Sequence, residues 1–435
     1  MPPARLSTAA PGFEARFAAL SEGRRTIGAD ITAEVAAIID DVRRRGDAAL
    51  IEYTRRFDGF DPSEHGFEID AEARAGARRA CEPQALAALD LAARRIAAFH
   101  RRQMPGDLRF RDETGLELGF RWQPMDSVGI YVPGGQASYP SSVLMNALPA
   151  RAAGVGRIVM CVPTPDGEIN PLVLAAADIA QVDAVYRIGG AQAIAALAWG
   201  TAGIPAVDMI VGPGNAWVAE AKRQVFGRVG IDMVAGPSEI VIVADATTRP
   251  DWLAADLLAQ AEHDAQAQSI LITPDAALAE VVAAAVEDQL GDLPRETIAR
   301  ASWEDHGAVV VVRNLDEAAD LVNRLAPEHV ELAVADPEPL AARIRHAGAL
   351  FLGVHAPEAL GDYLAGPSHV LPTAGSARFS SGLSVFDFLT RSTLIRGDAQ
   401  SLEILAPAAA RLARAEGLEG HARSLDVRLG SDDDD

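Results

Sequence analysis

RIVMCVPTP (157–165), AVYRIGG (184–190) and MIVGPG (209–214) begin a series of short β-branched runs that continues as IVIVADA (240–246), SILIT (269–273), AVVVVRN (308–314) and ALFLGV (349–354). The runs are apolar without alternation and are separated by alanine-rich segments of helix length, the pattern of strands buried on both faces of a parallel sheet. A single doubly wound sheet holding all of them would be unusually wide, so the sequence predicts an α/β fold with two sheets. Upstream, ITAEVAAIIDDVRRRGDAALIEYTRRF (31–57) and ALAALDLAARRIAAFH (85–100) place apolar residues at three- and four-residue spacing and predict helices from about Thr32 to Arg102. Past about Gly382 the strand signals stop, and SLEILAPAAARLARAEG (401–417) predicts a small helical appendage.

Composition narrows the class. The chain has 435 residues, 49% apolar and 23% charged, which is globular and long enough for several domains. Its net charge of −22 repels phosphate backbones and anionic lipid, so nucleic acid and membrane are excluded as expected partners. Two cysteines, Cys81 and Cys161, form no CxxC and no disulfide framework, and the opening MPPARLSTAAPGFEARF has no continuous apolar core, so a cytoplasmic, unexported protein is expected. Lys222 is the sole lysine and follows Ala221, which removes a P-loop and nearly every Schiff-base mechanism.

Seven of nine histidines lie after residue 260. In DLLAQAEHD (256–264), Gln260 and His263 stand three apart on a predicted helix, one turn apart on one face. That suits two ligands of one metal, or simply a polar stripe on an amphipathic helix. Asp362 and His369 in GDYLAGPSHVLPT (361–373), and Glu416 and His421 in EGLEGHARS (416–424), add donors that suit zinc or a similar divalent ion. In LAPEHVEL (325–332), Glu328 and His329 are neighbours that an extended backbone would point to opposite faces, giving a proton acceptor and an acid–base group, or ordinary strand-edge charges. Glycine-rich turns carry Tyr131 in YVPGGQASYP (131–140), Gln192 in IGGAQAIAAL (188–197), Asn215 in VGPGNAW (211–217) and Ser238 in AGPSEIV (235–241). Ligands of α/β sheets bind at such strand ends. None matches GxGxxG, since Trp217 stands where the third glycine belongs.

Taken jointly and in order, GDAALIEYTRRFD (46–58), GGAQAIAAL, VGPGNAW, DLLAQAEHD, LAPEHVEL, GDYLAGPSHVLPT, FSSGLSVFDF (379–388) and EGLEGHA closely resemble the histidinol dehydrogenase family over essentially the whole chain. The resemblance implies one zinc per subunit held by Gln260, His263, Asp362 and His421, and substrate contacts from Ser238, Gln260, His263, His329, Asp362, Glu416 and His421 with His369 close by. It implies NAD held at Tyr131, Gln192 and Asn215, and Glu328 and His329 as the acid–base pair. It also implies two incomplete Rossmann-like domains and an intertwined homodimer with shared active sites, placing Glu416 and His421 in the neighbouring chain's site.

The expected organisation is a helical N-terminal arm (1–27), a discontinuous first α/β domain (28–130 and 240–383), a nucleotide-binding α/β domain (131–239), a helical dimerisation domain (384–430) and an acidic tail (431–435). The activity implied is a four-electron, NAD-dependent oxidation of L-histidinol to L-histidine through the aldehyde, ending histidine biosynthesis. The nearest rival is a zinc and NAD alcohol dehydrogenase on the same scaffold acting on another small polar alcohol, such as a sulfonate diol. Glu416 favours an imidazole-bearing substrate over an anion. A zinc hydrolase would explain the metal donors but not the glycine-edged turns.

Overall fold

The computed structural model describes residues 2–22, 31–134 and 139–430. The acidic tail 431–435, the end of the N-terminal arm and part of the turn after Tyr131 lie outside the described residues. The chain divides into two compact units, Met1–Gln103 with Met125–Phe388, and Met104–Pro124 with Leu389–Asp435.

The first unit contains the two predicted parallel sheets. The six-stranded sheet runs, from edge to edge, Ala4–Ser7, Ala308–Val311, Gln268–Thr273, Glu239–Ala244, His329–Ala333 and Ala349–Leu352, and every pairing is parallel. The five-stranded sheet runs Ala184–Arg187, Arg157–Val162, Ser127–Tyr131, Met209–Val211 and Gly230–Ile231, again all parallel. The unalternated apolar runs have the expected cause: Ile240, Val241, Ile242, Val243, Ile270, Leu271 and Ile272 are buried whichever face they point to. Both sheets reverse their strand order once, next to Glu239–Ala244 in one and next to Ser127–Tyr131 in the other. Such a reversal opens a crevice at the carboxyl edge.

Three expectations are corrected. The N-terminal arm is not wholly helical: Ala4–Ser7 forms an edge strand with Leu6 buried, ahead of the helix Phe13–Glu22. Four residues are too few for periodicity to announce a strand. The helices Thr32–Arg45 and Asp47–Asp58, assigned by sequence to the domain of the six-stranded sheet, instead bury Val35, Ile39, Val42 and Leu50 in one core with Tyr131 and Val159 of the five-stranded sheet and Ile194 of the helix Gly190–Trp199 that packs beside it. Amphipathic spacing says that a helix has an apolar face, not which sheet covers it.

The C-terminal segment is also not wholly helical. In the second unit, Leu389–Arg396 pairs antiparallel with Glu117–Pro124, which pairs antiparallel with Leu108–Arg111, and the helices Ala399–Ala415 and Glu419–Asp426 follow. LTRSTLIR is almost entirely exposed, so it lacks the apolar signature of the buried strands. Among the described residues, no helix is long and apolar enough to cross a membrane.

Candidate active site

The amino edge of the six-stranded sheet gathers the polar groups. Parallel pairing sets His329 opposite Ile240, which brings Glu328 and His329 level with Glu239. The Glu239 N–H donates to Glu328 Oε2 at 2.9 Å, and the Glu239 carbonyl lies 3.0 Å from His329 Nδ1. A carbonyl can only accept, so this contact assigns the proton of a neutral ring to Nδ1 and puts the lone pair on Nε2. Glu328 and His329 do not part to opposite faces as an extended backbone suggests. Glu328 precedes the strand, its side chain turns back to the Glu239 N–H, and its Oε2 stands 3.6 Å from His329 Nδ1.

Two helices cover that face. Pro250–Ala261 carries Gln260 in its last turn, and the helix ends before His263, which lies in the following turn with its N–H on the Gln260 carbonyl. Gln260 is fully buried, and neither its Oε1 nor its Nε2 has a hydrogen-bond partner. An orphaned buried group of this kind carries a penalty of about 1–3 kcal/mol, and its amide oxygen is free to bind a cation or a hydrogen-bond donor. The helix Glu358–Tyr363 supplies Asp362, whose Oδ2 is 3.9 Å from His263 Nε2.

Ligating atoms of His329, Glu358 and Asp362 lie within 4.8 Å of one another, so Asp362 stands close to both His329 and His263. His369 fixes Asp362 from behind: its Nδ1 is 3.1 Å from the Asp362 carbonyl and its Nε2 is 3.4 Å from Ser142 Oγ. Both ring nitrogens of His369 thus face hydrogen-bonding partners within the fold. Ser142 belongs to the helix Pro140–Ala153 that follows the strand Ser127–Tyr131, so this bond ties the two sheets' facing edges together.

Burial governs the charges. It lowers His329 to about 3, against the Glu239 carbonyl that favours the protonated ring, and lowers His369 to about 4. Burial also raises Glu328 well above the usual carboxyl range. His329 is thus held uncharged near neutral pH, and a raised carboxyl such as that of Glu328 is, once ionised, more basic than an exposed carboxylate.

Other expected residues are placed as follows. Ser238 adjoins Glu239 at the same edge, with its carbonyl accepting from Gln268 N–H. Tyr131 ends its strand buried, its hydroxyl accepting from the Gly190 N–H at 3.0 Å; Gln192 is buried in the first turn of the helix Gly190–Trp199; Asn215 caps the helix Ala216–Val225. These three therefore stand at the carboxyl edge of the five-stranded sheet. Glu416 and His421 belong to the second unit, both exposed. Cys161 is a buried strand residue and Cys81 ends the helix Ala71–Ala80, and neither takes part in the site.

The histidinol dehydrogenase family profile matches residues 22–429. The chain belongs to the histidinol dehydrogenase family. It is 61% identical over 432 residues to histidinol dehydrogenase of Cereibacter sphaeroides, covering 98% of each chain, and 59% identical over 428 residues to that of Rhodospirillum rubrum, covering 98% of this chain and 99% of the other. The crystal structure of histidinol dehydrogenase from Elizabethkingia anophelis superposes with a TM-score of 0.93 at 33% identity, covering 99% of this chain and 98% of that one. The family members are oxidoreductases, and the two-sheet fold is the one this family takes.

Sequence reasoning missed Glu239, whose backbone holds both members of the dyad and whose carboxylate accepts the Ala374 N–H at 2.7 Å. It also missed a second row of carboxyl groups. Asp256 lies one turn before Gln260, Glu331 two residues after His329 and Glu358 one turn before Asp362, so each element contributes one group to each row. The signal was present in DLLAQAEHD, EHVEL and EALGD as i,i+4 and i,i+2 spacings.

In that row the Glu358 N–H donates to Glu331 Oε1 at 2.5 Å, while burial raises Asp256 to about 6 and raises Glu331, further repelled by Asp256, to about 8. An acid whose folded value is raised stabilises the fold fully below its unfolded value, and that contribution is lost as pH rises through the folded one. Glu331→Gln cannot titrate. The melting temperature of metal-free Glu331→Gln should therefore gain on that of the metal-free parent as pH rises from about 4 to about 8, as read by calorimetry at matched ionic strength. A difference independent of pH would contradict the assignment.

Proposed function

We propose that the chain oxidises L-histidinol to L-histidine through L-histidinaldehyde, as the last steps of histidine biosynthesis in the cytoplasm, passing four electrons to two NAD in succession. The observation that carries this reading is the uncharged, buried His329, its Nε2 left free by the Glu239 carbonyl, beside the unpartnered amide of Gln260 in a chain of this family.

The residues present fit a zinc ion. Gln260 offers an orphaned buried amide, His263 an imidazole and Asp362 a carboxylate, three donors of the kinds a catalytic site uses while leaving positions open. They also fit a dinucleotide. A Cβ at Gly189 would stand 2.4 Å from Pro163 Cβ and one at Gly134 would stand 2.6 Å from Pro163 Cγ, so at the carboxyl edge of the five-stranded sheet only glycine lets these two turns pack on Pro163. The helix Gly190–Trp199 has Gly189 at its N-cap and so no cap from that residue; its first N–H is taken by the Tyr131 hydroxyl, and the next N–H groups of the first turn are the ones that would meet an anionic ligand. When bound, NAD supplies the hydride acceptor and zinc an orienting charge for the substrate's amine and imidazole nitrogen.

The remaining work belongs to the chain. His329 Nε2 takes the hydroxyl proton as the carbinol hydride leaves, and the Glu239 carbonyl keeps the ring in register through Nδ1–H. The aldehyde must add water, because a second hydride leaves only from a tetrahedral hydrate. Glu328 takes a proton from that water while the His329 imidazolium returns its proton to the aldehyde oxygen, so His329 is neutral again when it takes the hydrate's hydroxyl proton in the second oxidation. Burial of Glu328, His329 and Gln260 keeps the reactive aldehyde from stray water. We further propose a homodimer in which Glu416 and His421 reach the neighbouring chain's site. Their exposure on the second unit and the three-donor set of Gln260, His263 and Asp362 support this reading.

The test is stoichiometric. Two NADH should form per L-histidinol consumed, with L-histidine as the product and no turnover of a sulfonate diol. One NADH with aldehyde released, or preference for the diol, would reject the reading.

A further inference from the structure

The sole lysine of the chain is used by none of the chemistry above. Lys222 lies on the helix Ala216–Val225 with its side chain 2% exposed, and its ammonium pairs with Asp232, 1% exposed. The same ammonium donates to the Gly212 carbonyl at 2.9 Å, and Asp232 Oδ2 accepts the Gly212 N–H at 2.8 Å. One buried ion pair thus holds both backbone polar groups of a single glycine.

That glycine sits at a decisive place. Gly212 directly follows the strand Met209–Val211 at the reversal of strand order, beside the end of Ser127–Tyr131. Its φ of +111° and the 2.1 Å that would separate a Cβ from the Tyr131 carbonyl leave no room for a side chain. Three residues on, Asn215 caps the helix that carries Lys222 back underneath the turn. A buried ion pair is weak evidence for stability, since desolvation offsets the attraction. Its distinctive product is fixed geometry. An ammonium with rotatable donors can serve a carboxylate and a carbonyl at once.

We propose that Lys222 and Asp232 are positioning residues for the dinucleotide: they lock the Gly212–Asn215 turn in the shape that receives the cofactor and act on it only through that turn. The proposal rests on the reading of this sheet edge as the NAD site. It implies that the pair governs cofactor affinity and leaves the histidinol-binding edge of the other sheet unaffected.

The experiment measures NADH affinity by fluorescence and L-histidinol affinity by calorimetry on the zinc-loaded enzyme. Lys222→Met should weaken NADH binding about tenfold or more while L-histidinol binding stays within about twofold. The double variant Lys222→Met with Asp232→Leu, which leaves no unpaired buried charge, should recover thermal stability but not NADH affinity. Recovery of both, or parallel loss of NADH and histidinol binding, would reduce the pair to a structural element and overturn the proposal.

If the variants do not fold, the parent decides. Lys222 is the only side-chain amine, so its acylation by an amine reagent is read without interference by mass spectrometry of its peptide. Saturating NADH should slow it about tenfold. An unchanged rate, in a protein shown to bind NADH, overturns the clamp alone. A parent that binds no NADH overturns the cofactor reading with it.

Discussion

His329→Asn should reduce both oxidations by about 10²- to 10⁴-fold, the range that a positioned general base contributes. Asparagine keeps a donor near the Glu239 carbonyl, which lies 3.0 Å from His329 Nδ1, so the local packing is nearly retained while the basic Nε2 is lost. The loss should appear in kcat for histidinol and for histidinaldehyde alike, because each hydride departure needs a hydroxyl proton removed. Glu328→Gln should behave differently. Its amide cannot take a proton from water, so the aldehyde-to-acid half should fall steeply, while reduction of the aldehyde by NADH, which needs no added water, should be impaired much less.

The Glu239 N–H that now donates to Glu328 at 2.9 Å can still find the amide oxygen of glutamine, which keeps the comparison between variants fair. Single-turnover measurement of each half-reaction checks both expectations. Equal losses in both halves of Glu328→Gln, or an active His329→Asn enzyme, would contradict the division of labour.

How far this was legible in the sequence follows from which residues report on distance. The unalternated runs gave the two parallel sheets, because burial on both faces is written into every position of a strand such as Ile240–Val243. The edge strand Ala4–Ser7 and the exposed ribbon Leu389–Arg396 escaped, since one is too short and the other too polar for periodicity to register. In the site, Gln260, His263, Asp362, Glu328 and His329 were visible as residue types and through the family resemblance. Their convergence was not visible, because it depends on His329 lying opposite Ile240 and on a six-residue helix bringing Asp362 within 3.9 Å of His263. Glu239 was invisible for a further reason: it works through its backbone, and no side-chain motif announces a carbonyl. Lys222 was conspicuous by being alone, yet its role needed the fold that sets Gly212 between it and Asp232.

Asp362→Asn is expected to have the second large effect, through the metal. Burial raises the Asp362 carboxyl to about 6, so without a cation it holds its proton up to about that pH, and a bound divalent cation would favour the ionised form. Replacing it by the neutral amide removes the one full negative charge among Gln260, His263 and Asp362. Zinc affinity should fall by at least about 10²-fold, and kcat/KM for histidinol by about 10³-fold, or roughly 4 kcal/mol of lost orientation and charge stabilisation.

Two controls separate the metal from the fold. Chelation of the parent should abolish turnover and added zinc should restore it, and excess zinc should recover part of the Asp362→Asn activity by mass action. NADH affinity should be unchanged in both, because Tyr131, Gln192 and Asn215 stand on the other sheet. Full activity in rigorously metal-free parent protein would reject the zinc assignment. It would also leave Gln260 as a buried amide with both polar atoms unpaired, which is costly for any fold to keep without a ligand.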